Sequence, residues 1–225
     1  MKIEMHAQDV SDAFWRNLSL RWAPAIRHWT PHLDNDSLVA EQFRVQADYN
    51  TGSIPSATAI ALLILGNELK PDVTFEVGTF IGNTTRALAL TSKHVYTCDG
   101  SNDIRFSPSI PNVTYYPKTV STAALEQFAK LGKLIDLLVL DGRIQPGDTP
   151  HLKALLRPEA VIALDDCYQL EKGVVNVGML NEIFPERRLF YVPPPRGEPF
   201  AAFGVPGGTT LGLVVPATML GITQG

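Results

Sequence analysis

The chain has 225 residues, of which 45% are apolar and 19% charged, and a formal net charge of −4. Such totals suit one well-buried α/β domain; they exclude a disordered chain and the broad basic field of a nucleic-acid binder. No apolar run approaches the roughly 18 residues of a membrane span. The opening Met1-Lys2-Ile3-Glu4-Met5-His6 has no apolar signal core. A cytoplasmic location without nucleic-acid or membrane partners is the expectation.

Residues 1–50 are expected to form an N-terminal helical segment, a cap or packing face, ahead of a main domain over 51–225. The segment carries Trp15, Trp22 and Trp29 seven residues apart, close to one helical face, with Pro24 dividing it into two helices. The turn-rich stretch Asp48 to Pro55 is a hinge. A helix over Pro55 to Leu69 follows, with Ser53 as its N-cap and Pro71 closing it. Strand and helix then alternate: a strand over 73–77 and a helix over 82–91, then strands over 94–98 and 113–116. A helix over 123–131 comes next.

The run Ile135-Asp136-Leu137-Leu138-Val139-Leu140 is almost continuously apolar and branched, the pattern of a buried strand. A helix over 150–156 and a buried strand over 160–164 come after it. Strands over 188–192 and 210–215 lie either side of a proline- and glycine-rich linker, Pro193 to Gly208, with no clear helix between them. Two late strands without a crossover helix imply an antiparallel hairpin at the sheet edge. Cys98 and Cys167 have no metal-ligand spacing and are expected as buried free thiols.

The stretch with most chemical content is Thr74-Phe75-Glu76-Val77-Gly78-Thr79-Phe80-Ile81-Gly82-Asn83-Thr84-Thr85. An apolar strand ends in an acid, passes a glycine turn and opens into a helix, the shape that seats a nucleoside-bearing cofactor. Seventeen residues past Gly82 a second strand ends in Asp99, the spacing a carboxylate needs to reach ribose hydroxyls. Phe80 fills the middle glycine position of the dinucleotide fingerprint and would crowd a pyrophosphate.

Together these residues resemble the class I S-adenosylmethionine-dependent methyltransferases, and more closely the metal-assisted O-methyltransferases of the catechol O-methyltransferase kind and their bacterial small-molecule relatives. The resemblance covers about Tyr49 to Asp166. It implies a Rossmann-like, mostly parallel seven-stranded sheet with the C-terminal antiparallel hairpin. It also implies methyl transfer from S-adenosylmethionine to a hydroxyl of a small molecule: a sugar, phenol or natural product. Glu76, Gly78, Thr79, Phe80 and Gly82 match the family's acid-x-Gly-x-x-x-Gly motif. Thr84 falls where a hydroxyl contacts the cofactor carboxylate. Asp99, followed by Gly100, matches the ribose acid, and Ser121 falls among the adenine-side contacts. Thr51, Gly52 and Ser53 resemble a turn that closes over the cofactor's amino-acid end.

Asp141, which also borders the cofactor, resembles with Asp165 and Asp166 the family's three-point site for Mg²⁺ or a similar divalent cation. Two strand ends presenting carboxylates at one sheet edge repel each other, and an oxygen-seeking divalent ion relieves that cost. The ion would hold the acceptor oxygen near the methyl group. Relatives place a Lys or His base within three residues of this acid. Here the chain reads Asp141-Gly142-Arg143-Ile144-Gln145. His151 is the nearest titratable candidate for a base, and Arg143 is a candidate for an anionic substrate group.

Three accounts therefore compete: an O-methyltransferase whose metal activates the hydroxyl, a catalytically silent methyltransferase-like protein that binds the cofactor or a related nucleoside, and an NAD-linked oxidoreductase. The edge hairpin and the N-terminal segment are the surfaces on which a homo-oligomer would form.

Overall fold

A computed structural model describes residues 54, 56–101, 110–167, 171–191 and 211–216. The expected N-terminal segment with its tryptophans, the Thr51-Gly52-Ser53 turn and the Pro193 to Gly208 linker lie outside the described residues. Five α-helices are described: α1 (Ser56–Leu69), α2 (Asn83–Ala89), α3 (Ser121–Ala129), α4 (Thr149–Leu155) and α5 (Glu171–Ile183). The strands are β1 (Val73–Val77), β2 (His94–Asp99), β3 (Val113–Pro117), β4 (Ile135–Leu140), β5 (Leu156–Leu164), β6 (Arg187–Tyr191) and β7 (Gly212–Pro216).

The strands form one seven-stranded sheet in the order β3-β2-β1-β4-β5-β7-β6. The first five are mutually parallel, and β7 runs antiparallel to both β5 and β6. The expected late hairpin is present, but its second strand, β7, is inserted between β5 and β6 instead of being added at the rim. The central strands β1 and β4 are covered on both faces, which is why they read as apolar runs and not as alternating ones.

On one face Ile60 to Leu65 of α1 and Ala87 and Leu88 of α2 pack on Val95, Leu137, Val139, Val161, Ala163, Leu213 and Val215. Helix α1 is buried on every side from Ala59 through Leu65, as its uninterrupted apolar sequence requires. On the other face Leu125 and Phe128 of α3, Leu152 of α4 and Leu180 of α5 pack on Phe75, Leu138, Leu140, Ile162 and Val214. The Phe128 ring meets Phe75 and Tyr96 edge-on, with centroids 5.4 and 4.9 Å away.

Two elements depart from expectation. Strand β5 begins at Leu156, four residues before the predicted strand, because Ile135 of β4 extends the pairing across an irregularity to Leu156. Helix α5 has no counterpart in the sequence reading. Gly173, Gly178 and three valines are poor helix formers, and packing of Leu180 and Ile183 into the core overrides that preference.

Candidate functional site

The register of the parallel strands assembles the site. Val77 pairs with Cys98 and with Leu140, and Leu140 pairs with Leu164. The residues one step beyond this row are Gly78, Asp99, Asp141 and Asp165, so the glycine turn and three acids leave the sheet at a single edge. Backbone bonds carry the ladder past the strand ends: Gly78 N–H donates to Cys98 O at 2.9 Å, Asp141 N–H to Val77 O at 2.9 Å and Asp165 N–H to Leu140 O at 3.0 Å. With neighbouring strands about 4.8 Å apart, Asp141 and Asp165 are neighbours, while Asp99 stands on the far side of the β1 turn.

That turn is shaped by close approach. Gly78 has φ +99°, and a Cβ there would lie 2.6 Å from Gly142 N and 2.8 Å from Asp141 C. Only glycine fits. Phe80 is held at φ +46° and Gly82 at φ +83°. The Phe80 strain is secured by Asp99, whose Oδ2 accepts the Phe80 N–H at 2.7 Å while its Oδ1 accepts the Ser101 N–H at 2.8 Å. Each oxygen keeps a free lone-pair direction, so Asp99 is aimed and still able to accept hydroxyls. Thr119 N–H donates to Asp99 O at 2.9 Å, tying the start of α3 to this strand end. Gly100 lets Val120 approach to 3.3 Å of where its own Cβ would be.

Glu76 is fully buried. Its Oε2 accepts the Thr85 and Thr97 hydroxyls, both at 2.5 Å, and Thr79 meets Thr97 at 2.6 Å. Because the Thr97 proton is committed to Glu76, Thr79 is the donor in that last pair. Burial raises the Glu76 pKa to about 8, with the threonines pulling down and Asp99 adding slightly to the rise. Glu76 Oε1 is buried and has no hydrogen-bond partner, and the same is true of Ser121 Oγ at the start of α3. Buried orphans of this kind are costly in a closed protein. Both stand at positions expected to contact the cofactor, so the chain fits such a ligand on its own polar accounting. Thr84, at the first turn of α2, is also buried.

On the other side of the turn Asp141, Asp165 and Asp166 bring one carboxylate oxygen each within 4.8 Å of one another. Asp166 is strained at φ +54°. Lys172, which the sequence reading did not single out, enters this cluster from the start of α5. Its Nζ donates to Asp141 Oδ1 at 2.7 Å, to the Asp141 carbonyl at 2.7 Å and to Asp166 Oδ2 at 2.8 Å. Burial raises the Asp141 carboxyl well above the usual range, Asp165 adds to the rise, and Lys172 opposes it. Burial works against the Lys172 ammonium, but Asp141 and Asp166 outweigh it and keep its pKa above the ordinary lysine value.

The remaining candidates are dispersed. Ile144, at the position where relatives carry a base, is buried in the core between β4 and the helices. The backbone there turns the side chain inward, and Ile144 N–H donates to Asn176 Oδ1 of α5 at 3.0 Å. Arg143 is exposed on the loop after β4. His151 lies on α4, its Nε2 3.9 Å from Glu126 Oε1 of α3. The contact described for its ring is with α3 and not with the acids of the cluster. Cys98 and Cys167 are buried free thiols, as expected.

No protein-family model matches the chain, and no curated protein sequence matches it. Solved structures do resemble it. The O-methyltransferase TomG from Streptomyces achromogenes, involved in tomaymycin synthesis and solved with SAM, superposes with a TM-score of 0.58 at 16% identity over 82% of this chain and 89% of that one. A methyltransferase from Geobacter sulfurreducens gives 0.56 at 14% identity, covering 81% and 90%. An O-methyltransferase from Bacillus cereus, in complex with SAH, gives 0.52 at 17% identity, covering 84% and 99%. Among the described residues no helix is long and apolar enough to cross a membrane. The chain has the fold of the class I S-adenosylmethionine-dependent O-methyltransferases.

Proposed function

We propose that the protein transfers the methyl group of S-adenosylmethionine to a hydroxyl of a small molecule. The observation that carries this reading is the pair of buried orphan atoms, Glu76 Oε1 and Ser121 Oγ, flanking an aimed Asp99 across the Gly78 turn. They are spaced along one sheet edge in the order that an ammonium, a ribose and an adenine would need. Asp99 would accept the ribose hydroxyls, Ser121 would meet the base, and Glu76 would face the amino group, with Gly78 and Gly82 allowing close backbone approach. When bound, the cofactor supplies an electrophilic methyl group on a sulfonium.

The acidic cluster beyond Asp141 then borders the acceptor, and an acceptor oxygen would lie between it and the methyl group. Arg143, exposed on the loop after β4, is the candidate to meet an anionic part of the acceptor. The proposed division of the chain keeps 1–50 as an N-terminal segment, a cap or packing face, and 51–225 as the cofactor domain, with a cytoplasmic protein acting on a diffusible acceptor.

The dinucleotide account has less support. A dehydrogenase sheet continues in parallel order past β5, whereas β7 here runs antiparallel. The silent-binder account differs from the main one only in turnover. Equilibrium binding of S-adenosylmethionine to the wild type and to Ser121→Ala and Asp99→Ala, followed by transfer of a tritiated methyl group to a panel of phenols and sugars, tests both. Binding that weakens in both variants, with label in one acceptor class, is the expected result. Binding without any transfer favours the silent account, and no binding eliminates both.

A further inference from the structure

A divalent ion and Lys172 compete for the same place. Mg²⁺ requires oxygens at about 2.1 Å, and two of the three candidate carboxylates, Asp141 and Asp166, are already bonded to one ammonium, at 2.7 and 2.8 Å. An ion drawn to those oxygens would meet a like charge at contact distance. The lysine is also saturated: its three N–H donors meet three acceptors, Asp141 Oδ1, Asp141 O and Asp166 Oδ2. The donor set as arranged does not fit a divalent metal.

The fold is built to deliver this cation. Gly173 follows Lys172 directly, and a Cβ at Gly173 would fall 2.1 Å from Asp166 O and 2.8 Å from Cys167 Cα. The start of α5 therefore lies against the Asp165-Asp166-Cys167 turn at a distance only glycine allows. Asp166 turns its carboxylate to the lysine through a left-handed backbone at φ +54°. One turn further along α5, Asn176 donates to Gly142 O at 2.9 Å and accepts the Ile144 N–H at 3.0 Å. Lys172, Gly173 and Asn176 thus join the loops after β4 and β5 to one helix face.

We propose that the Lys172 ammonium is the resident cation of the Asp141, Asp165 and Asp166 cluster, taking the place of a divalent metal and holding Asp141 and Asp166 in position on the acceptor side of the site. The competition between ions stands on geometry alone; the placement on the acceptor side rests on the methyltransferase reading. Lys172 is a positioning residue here, since its donors are used up within the protein. Where the family it resembles carries a Lys or His within three residues of the β4 acid, this chain has Ile144 in the core, and a positive charge reaches the same acid from α5.

The test is Mn²⁺ binding followed by electron paramagnetic resonance, with Lys172→Met and Lys172→Gln beside the wild type. The wild type is expected to leave the free Mn²⁺ signal unchanged, and S-adenosylhomocysteine binding is expected to be the same with and without a chelator. Removing the ammonium opens the cluster, so at least one of the two variants gains a single Mn²⁺ site about tenfold or more tighter than the wild type, with a matching rise in melting temperature. A stoichiometric Mn²⁺ site in the wild type that Asp166→Asn abolishes would overturn the proposal. So would two folded variants that gain no Mn²⁺ affinity. If neither variant folds, the wild-type titration decides. S-adenosylhomocysteine binding to the wild type is read separately: its absence counts against the methyltransferase reading and leaves the Mn²⁺ result intact.

Discussion

Replacing Glu76 by Gln should make the ligand-free protein more stable at alkaline pH and bind cofactor less well. The wild-type carboxyl is fully buried, two threonine hydroxyls meet one of its oxygens, and the other oxygen has no partner. Its pKa rises from an ordinary 4.5 to about 8. The folded state therefore holds a proton that the unfolded chain releases from about pH 4.5 upward. Stability falls as pH rises through that window and levels off above about pH 8. At about 1.36 kcal/mol per pH unit, the loss is about 3 kcal/mol at pH 7 and at most about 5 kcal/mol above pH 8.

Gln keeps the oxygen that accepts from Thr85 and Thr97 but places an unpaired amide donor where Oε1 was, at a cost of about 1–3 kcal/mol. The variant should be less stable than wild type at pH 5 and more stable by about 2–4 kcal/mol at pH 9. Urea titrations of both proteins at pH 5, 7 and 9 read the difference, in which the other titrating groups largely cancel. A difference that does not change with pH would show that Glu76 is not the proton holder, and the argument from its buried orphan oxygen would fail.

Gly78→Ala puts a Cβ against the backbone of Gly142 and Asp141 at φ +99°; a loss of about 3 kcal/mol or more in thermal unfolding is expected. Asp99→Asn keeps the fold but turns one acceptor of the Phe80 or Ser101 N–H into a donor, so calorimetry should show S-adenosylhomocysteine affinity reduced about 10- to 100-fold. Burial raises the Cys98 thiol and pushes Cys167 up to about 12. Neither thiol should react with a disulfide reagent at pH 8 until denaturant is added, and a fast stoichiometric reaction in the native protein would contradict the packing around them.

Much of the sheet was legible because its signals are local. The unbroken apolar run Ile135 to Leu140 and the acid-then-glycine turn after Val77 each specify their own backbone, and both are found where the pattern puts them. The convergence of Gly78, Asp99, Asp141 and Asp165 followed from parallel pairing, since each comes directly after the paired row Val77, Cys98, Leu140 and Leu164. Helix α5 was not legible, because its glycines and valines hide a helix held by tertiary packing. Lys172 was lost with it: its partner Asp141 lies 31 residues away, and no spacing rule connects them. His151 is near Asp141 in sequence, whereas α4 packs against α3 and brings the ring to Glu126.

Isothermal titration of the wild type with S-adenosylhomocysteine and, in parallel, with NAD tests the central claim most directly. One molecule of S-adenosylhomocysteine per chain, bound in the micromolar range and lost on Asp99→Ala, with no heat from NAD, is the predicted result. Saturable NAD binding with none for S-adenosylhomocysteine would contradict it.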